Sequence, residues 1–242
     1  MTADGNITEE QIRAMRTRLS GIRENIERAC TAAGRQPQDI TLMAVTKTVD
    51  PVLINAAVEE GVNVLGENRV QEFLSKRSLY RPEAEVQFIG HLQTNKVKQI
   101  IDKVTLIHSA DSLHLAQAID RAADAAGLVM PVLLEVNIGG ESSKSGVSPD
   151  MLPALLRDAA KLSHIRVDGL MTIPPPTSDE TEQNRVFSRM RKLFEELRGQ
   201  TPMHILSMGM SGDYEAAIRN GSTLVRIGSA LFGARVYPQK AV

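Results

Sequence analysis

From Ile40 onward the chain repeats one unit eight times: a short apolar run, a brief polar loop and a helical stretch. Candidate strands are Ile40–Thr46, Val62–Leu65, Val86–Ile89, Thr105–His108, Val132–Val136, Val167–Met171, His204–Ser207 and Leu224–Ile227. Helical periodicity occupies Pro51–Glu60, Arg69–Lys76, Asn95–Ile101, Ser112–Ala126, Pro149–Leu162, Glu180–Arg198 and Tyr214–Asn220, and a short turn follows at Ala230–Phe232. Strands that alternate with helices pair in parallel, and eight right-handed crossovers close a (β/α)8 TIM barrel. An open doubly wound sheet is the competing arrangement, but it usually has fewer strands and a crevice where strand order reverses. The expectation is an α/β protein of one domain, residues 1–242, with the barrel over about 39–235.

One helix precedes the barrel, over about residues 8–33. Thr8 and Gln11 have capping-box spacing, Ile12, Met15, Leu19, Ile22, Ile26, Ala29 and Ala33 make one apolar stripe, and Gly34 stops it. This helix is expected to pack over the outside or bottom of the barrel. A net charge of −1 offers no basic field to a phosphate backbone, so nucleic acid is not an expected partner. The first ten residues lack the basic and apolar regions of a secretion signal. The apolar run around Leu128–Leu134 is too short to cross a bilayer. Cys30, the single cysteine, makes no internal disulfide, and a reducing cytoplasm is the expected location.

Barrels of this kind carry their chemistry at the carboxyl ends of the strands. There this chain places Lys47, Gly66-Glu67-Asn68, Gly90-His91, Ser109-Ala110-Asp111, Asn137, Thr172, Gly209-Met210-Ser211-Gly212 and Gly228-Ser229. Ordinary turn chemistry accounts for any one of these. Their joint placement around Lys47 is harder to dismiss. Strand alternation puts Lys47 on one face with Thr41, Met43 and Val45. An ammonium at the buried end of an apolar strand is expensive unless paired, neutralised or used covalently. Taken alone, a lysine there simply snorkels to solvent.

Strands seven and eight of such barrels frequently hold a phosphate on glycine-rich loops and the start of a short helix. Gly209-Met210-Ser211-Gly212 and Gly228-Ser229 supply backbone donors and two hydroxyls for that purpose. On strand eight Leu224, Arg226 and Gly228 share a face, and if it points inward Arg226 needs an acceptor. That acceptor is either a structural carboxylate or the ring nitrogen of a ligand. A lysine amine, a phosphate cradle and an arginine in one pocket are what a phosphorylated aldehyde bound as a Schiff base requires. Pyridoxal 5′-phosphate (PLP) meets all three conditions. A Schiff-base aldolase acting on a sugar phosphate is the alternative use of the same lysine.

The segments Ala44–Lys47, Gly66–Asn68, Phe88–Gln93, Val136-Asn137, Gly169–Thr172, Leu206–Ser211 and Val225–Gly228 resemble the YggS/PROSC family, the pyridoxal phosphate homeostasis proteins. The likeness runs in order from about Ile40 to Arg235. It implies a fold-type III barrel like the amino-terminal domain of alanine racemase, with PLP bound covalently to Lys47. It also implies Asn68 beside the cofactor ring, Arg226 at the pyridine nitrogen, and Met210, Ser211, Gly228 and Ser229 at the phosphate. Many members carry threonine at Ser229, so the hydroxyl is kept. By the same resemblance the chain is a binder without established catalytic activity that buffers or delivers the cofactor. Apo-enzymes or amino acids are its further partners, and it is a monomer. A PLP-dependent racemase is the alternative; alanine racemases add a β-rich domain, which the few residues after Gly233 do not provide.

Two other signals are set aside. Gly139–Gly146 has the look of a phosphate loop but lacks the glycine directly before Lys144, so a loop over the pocket is expected. The five histidines show no metal-ligand spacing, so no metal is expected.

Overall fold

The computed structural model describes residues 7–141 and 145–234. Helix α1, Glu9–Ala32, opens with the capping box: Thr8 Oγ1 accepts from Gln11 N at 3.2 Å, and Gln11 Oε1 accepts from Thr8 N at 2.8 Å. It closes on left-handed Gly34 (φ 65°), whose neighbour Arg35 donates its N–H to Cys30 O at 2.9 Å, ending the helix as a Schellman turn. Met15, Leu19, Ile22, Ile26 and Ala29 are buried along one stripe.

The strands are β1 Thr41–Val45, β2 Val64–Glu67, β3 Glu85–Phe88, β4 Leu106–Ala110, β5 Met130–Glu135, β6 Ile165–Met171, β7 Ile205–Met210 and β8 Leu224–Ile227. They form a closed barrel in chain order, with β1 parallel to both β2 and β8. Between and after them run α2 Pro51–Glu59, α3 Val70–Lys76, α4 Val97–Ile100, α5 Leu113–Ala125, α6 Leu152–Ala159, α7 Glu180–Leu197, α8 Tyr214–Arg219 and α9 Ser229–Phe232. Helix α1 lies outside the barrel against α2, α8 and α9. Arg18 Nε there donates to Leu231 O at 2.8 Å, and Asn25 Nδ2 to the Tyr214 hydroxyl at 2.8 Å. Among the described residues no helix is long and apolar enough to cross a membrane.

Strands β2, β4 and β7 run two or three residues past their expected ends, Leu65, His108 and Ser207. In β2 and β7 the added residues include a glycine that the sequence reading assigned to the polar cluster beyond the strand. Gly66 instead continues β2 facing inward, where a Cβ would sit 2.6 Å from Met43 Sδ and 3.1 Å from Ile89 Cδ1. Gly209 continues β7 with φ 92°, where a Cβ would meet Ala217 Cβ at 2.6 Å, and the register with β8 shifts between Ser207 and Met210. Both glycines let backbone approach a neighbour closely within a strand.

Alternation then sorts the side chains. Met43, Val45, Ile89 and Leu224 pack inside the barrel, while Ala44 joins the outer core between sheet and helices. Lys47 thus leaves β1 on the inward face. Replacing Thr8 by alanine should cost about 1 kcal/mol, the usual loss for a helix cap. Leu19→Ala, at a side chain 1% exposed, should cost about 3 kcal/mol. Urea unfolding should rank the two in that order; a larger loss from Thr8→Ala would show that the cap, not the stripe, holds α1.

Candidate functional site

The carboxyl ends of β1, β2, β7 and β8 meet around a cavity of about 230 Å3. Lys47, Asn68 and Arg226 line it, together with Met210, Ser211, Gly228 and Ser229. Every site residue expected from sequence therefore falls in one cavity. Val45, Ile89 and Ile173 complete it as an apolar wall, and Gly212 joins the β7 side. Ile173 was missed because Thr172 looked like the polar end of strand six. Thr172 in fact turns its hydroxyl away, donating to Val136 O at 2.7 Å, and alternation brings the next residue to the cavity. His91, Asp111 and Asn137 stand at other strand ends and do not line it.

Arg226 is 3% exposed, and strand parity does point it inward. Its Nη1 donates to Ser207 Oγ at 2.7 Å and its Nη2 to Thr172 O at 2.8 Å. Among the described residues it has no ion pair, so its acceptor is not a structural carboxylate. Burial lowers it to about 10, against the pull of Asp213 and Glu135, and it stays charged at neutral pH.

Beneath Arg226 runs a buried polar chain that sequence reasoning did not find. Arg226 can only donate, so the Ser207 hydroxyl is turned to give its own proton to His108 Nδ1, 3.1 Å away. His108 then carries its proton on Nε2 and donates to Gln87 Oε1 at 2.7 Å. Burial, reinforced by the Arg226 charge, holds His108 well below its ordinary range, so the imidazole is neutral as this tautomer demands. The available signal was positional: Gln87, His108 and Ser207 are polar residues within otherwise apolar strands.

The β7 and β8 turns are held to each other. Ser211 Oγ accepts from Gly228 N and Ala230 N, both at 3.2 Å. Met210 N donates to Asp213 Oδ1 at 2.6 Å, so its N–H is engaged within its own turn. Glu67, the middle residue of the β2 cluster, points outward and is fully buried, accepting from Thr46 Oγ1 at 2.7 Å and from the Tyr80 hydroxyl.

Residues 142–144 of the Gly139–Gly146 loop, Lys144 included, lie outside the described residues. The described flanks return to the end of β5, where Asn137 N donates to Val147 O at 2.9 Å. Among the described residues no three His, Cys, Asp or Glu side chains gather to hold a metal.

Residues 17–236 match the family model of the alanine racemase N-terminal domain. The pyridoxal phosphate homeostasis protein of Aquifex aeolicus is 45% identical over 223 residues, covering 91% of this chain and 98% of that protein. The structure of PipY from Synechococcus elongatus with PLP bound superposes with a TM-score of 0.76 at 32% identity, covering 86% of this chain and all (100%) of PipY. An alanine racemase of Clostridium difficile shares the fold at 20% identity and a TM-score of 0.70, with 93% of this chain covering 57% of the racemase. This chain belongs to the alanine racemase N-terminal domain family and, within it, to the pyridoxal phosphate homeostasis proteins.

Proposed function

We propose that this cavity binds pyridoxal 5′-phosphate, that Lys47 holds it as a Schiff base, and that the protein serves vitamin B6 homeostasis as a carrier or regulator of the cofactor. One observation carries the proposal. The Lys47 amine, the Arg226 guanidinium and the Ser211 and Ser229 hydroxyls line a single cavity that, among the described residues, no carboxylate lines. A phosphorylated aldehyde meets donors and a nucleophile there, and no like charge. The Ser211 and Ser229 hydroxyls receive the phosphate, with Gly228 giving it room to approach and Met210 as a wall. Asn68 stands beside the ring and its hydroxyl, and Arg226 faces the ring nitrogen. The Lys47 amine adds to the aldehyde carbon, a C=N bond replaces C=O, and one water leaves.

Bound PLP supplies an electron-withdrawing ring, which withdraws best with its nitrogen protonated. A charged Arg226 at that nitrogen opposes protonation. The same residue that completes the binding site thus weakens the ring as an electron sink, a setting that alanine racemases tolerate, so turnover and not Arg226 separates binder from racemase. The names of the relatives and the PLP-bound PipY structure support a binder. We place the protein in the cytoplasm, consistent with the free, buried thiol of Cys30. We take it to act as a monomer, since the exposed large apolar residues Val52, Leu79, Val129, Met151 and Ile173 are scattered along the chain.

Glu135 at the end of β5 adds a pH-sensitive charge near Arg226. It is pushed up from 4.5 to about 7, first by burial, then by the like charge of Asp111, against the pull of Arg226. A carboxyl raised on folding favours the native state while protonated. Its contribution is complete below pH 4.5 and is lost as pH rises through about 7. The loss should total up to about 3 kcal/mol. Glu135→Gln should flatten that part of the stability profile in urea titrations from acid to mildly alkaline pH; an unchanged slope would rule the assignment out.

Purified protein should be yellow, and borohydride should fix a phosphopyridoxyl group on Lys47, identified by peptide mass spectrometry. Lys47→Ala should lose both the visible band and the label. Wild-type protein that stays colourless and unlabelled after incubation with PLP would refute the proposed function. Labelled protein that also converts an L-amino acid to its D-form at a steady rate would favour the racemase.

A further inference from the structure

The residue after Lys47 is strained, and a pair of charged side chains on another element holds it. Thr48 has φ 61°, and among the described residues it is the one non-glycine residue at positive φ. A β-branched residue there is a genuine outlier, maintained only when its surroundings over-determine it. Those surroundings come from α3. Glu72 Oε1 accepts from the Thr48 N–H. Lys76 Nζ donates to Thr46 O at 3.0 Å and Val49 O at 3.4 Å, and to Glu72 Oε1 at 2.7 Å.

An i,i+4 Glu–Lys pair is usually a solvated helix face of small worth. Here the Lys76 and Glu72 side chains are only 12% and 20% exposed, and they are aimed at three backbone atoms of one four-residue loop. Burial raises the Glu72 carboxyl, but the bonds from Lys76 and Thr48 outweigh it and keep the group below its ordinary range, hence ionised. The loop has its own closure, Val49 N donating to Thr46 O at 3.1 Å. Thr46 is tied to the same cluster, its hydroxyl donating to buried Glu67, whose Oε1 lies 3.8 Å from Lys76 Nζ. Lys47 is thus the one residue of Thr46–Val49 whose side chain turns into the barrel mouth, and the residues beside it are tied down from α3. Helix α3 begins two residues after Asn68, so the clasp also fixes the lysine loop to the element that carries another cavity wall.

We propose that Glu72 and Lys76 are positioning residues for Lys47: together they hold Thr48 in its left-handed conformation, so that the lysine amine is presented to the cavity before any ligand arrives. The proposal rests on the reading of Lys47 as the cofactor lysine. Without the clasp the loop relaxes toward negative φ, and the direction in which Lys47 leaves β1 turns with it. Phosphate and ring contacts, made by β7 and β8, stay as they are.

Two ligands separate these effects. PLP needs the lysine; pyridoxamine 5′-phosphate has the same ring and phosphate but no aldehyde. Glu72→Ala and Lys76→Met should each slow formation of the PLP visible band about tenfold or more, since misplacing a reacting group by about 1 Å can cost about a hundredfold. Affinity for pyridoxamine 5′-phosphate should stay within about twofold. Adding Thr48→Gly to Glu72→Ala should recover part of the rate, because glycine adopts the left-handed conformation unaided. Glu72→Gln, which keeps an acceptor for Thr48 N, serves if the alanine variant does not fold, and should fall between wild type and Lys76→Met. Wild-type rates in both clasp variants, or equal losses for the two ligands, would overturn the proposal. If wild-type protein gives no label on Lys47, the reading beneath it fails instead.

Discussion

A permanent cation closed inside a barrel without a carboxylate beside it is the constraint around which the site is arranged. Arg226 is neutralised by nothing at ion-pair distance among the described residues; it rests on a hydroxyl and a carbonyl, with Glu135 and Asp213 acting from further away. A buried charge so placed is costly to keep. It persists because a chain of fully oriented hydrogen bonds, Ser207 to His108 to Gln87, reaches across the barrel from β7 to β3 beneath it. The result is a buried guanidinium whose position is fixed from beneath by that chain, below a cavity that Lys47 also lines.

Much of this fold was legible because two periods do most of the specification. Eight apolar runs with a period near two, separated by helical stretches, admit few topologies once right-handed crossovers are required. The alternation also oriented Lys47 and Arg226 correctly, since Met43, Val45 and Leu224 do face inward. Strand ends were less legible. Gly66 and Gly209 read as members of the polar clusters beyond the strands, yet each is a strand residue whose missing Cβ makes room for a neighbour, and that neighbour belongs to another element. A tertiary contact of this kind leaves no local trace.

The site divides the same way. Lys47, Asn68, Ser211 and Ser229 were found because polar residues at strand ends stand out. Gln87, His108 and Ser207 were not, because each bonds a residue on another strand, 21 or 99 positions away in the chain, and no spacing marks such partners. Glu72 and Lys76 escaped for the opposite reason. Their i,i+4 spacing is so common on solvated helices that it conceals two side chains turned toward a loop. Thr48 could not have been read at all, since its left-handed backbone is imposed from outside. Strain of that kind is a property of the assembled fold.

Access to water bears on what a site of this shape can do. A site that runs carbanion chemistry gains from excluding solvent, which protects reactive species and strengthens its fields. A site that carries a cofactor must give it up, and a Schiff base is undone by water alone. Here Lys47 is only half-buried, Ser229 is exposed, and Ile173, part of the apolar wall, is 41% exposed. The rigid part of the pocket therefore lies below the amine, in the Arg226 chain and the α3 clasp, while its upper edge is open to solvent. On the proposed reading, that division would let the protein hold Lys47 and Arg226 in place and still return the aldehyde by hydrolysis through the exposed edge.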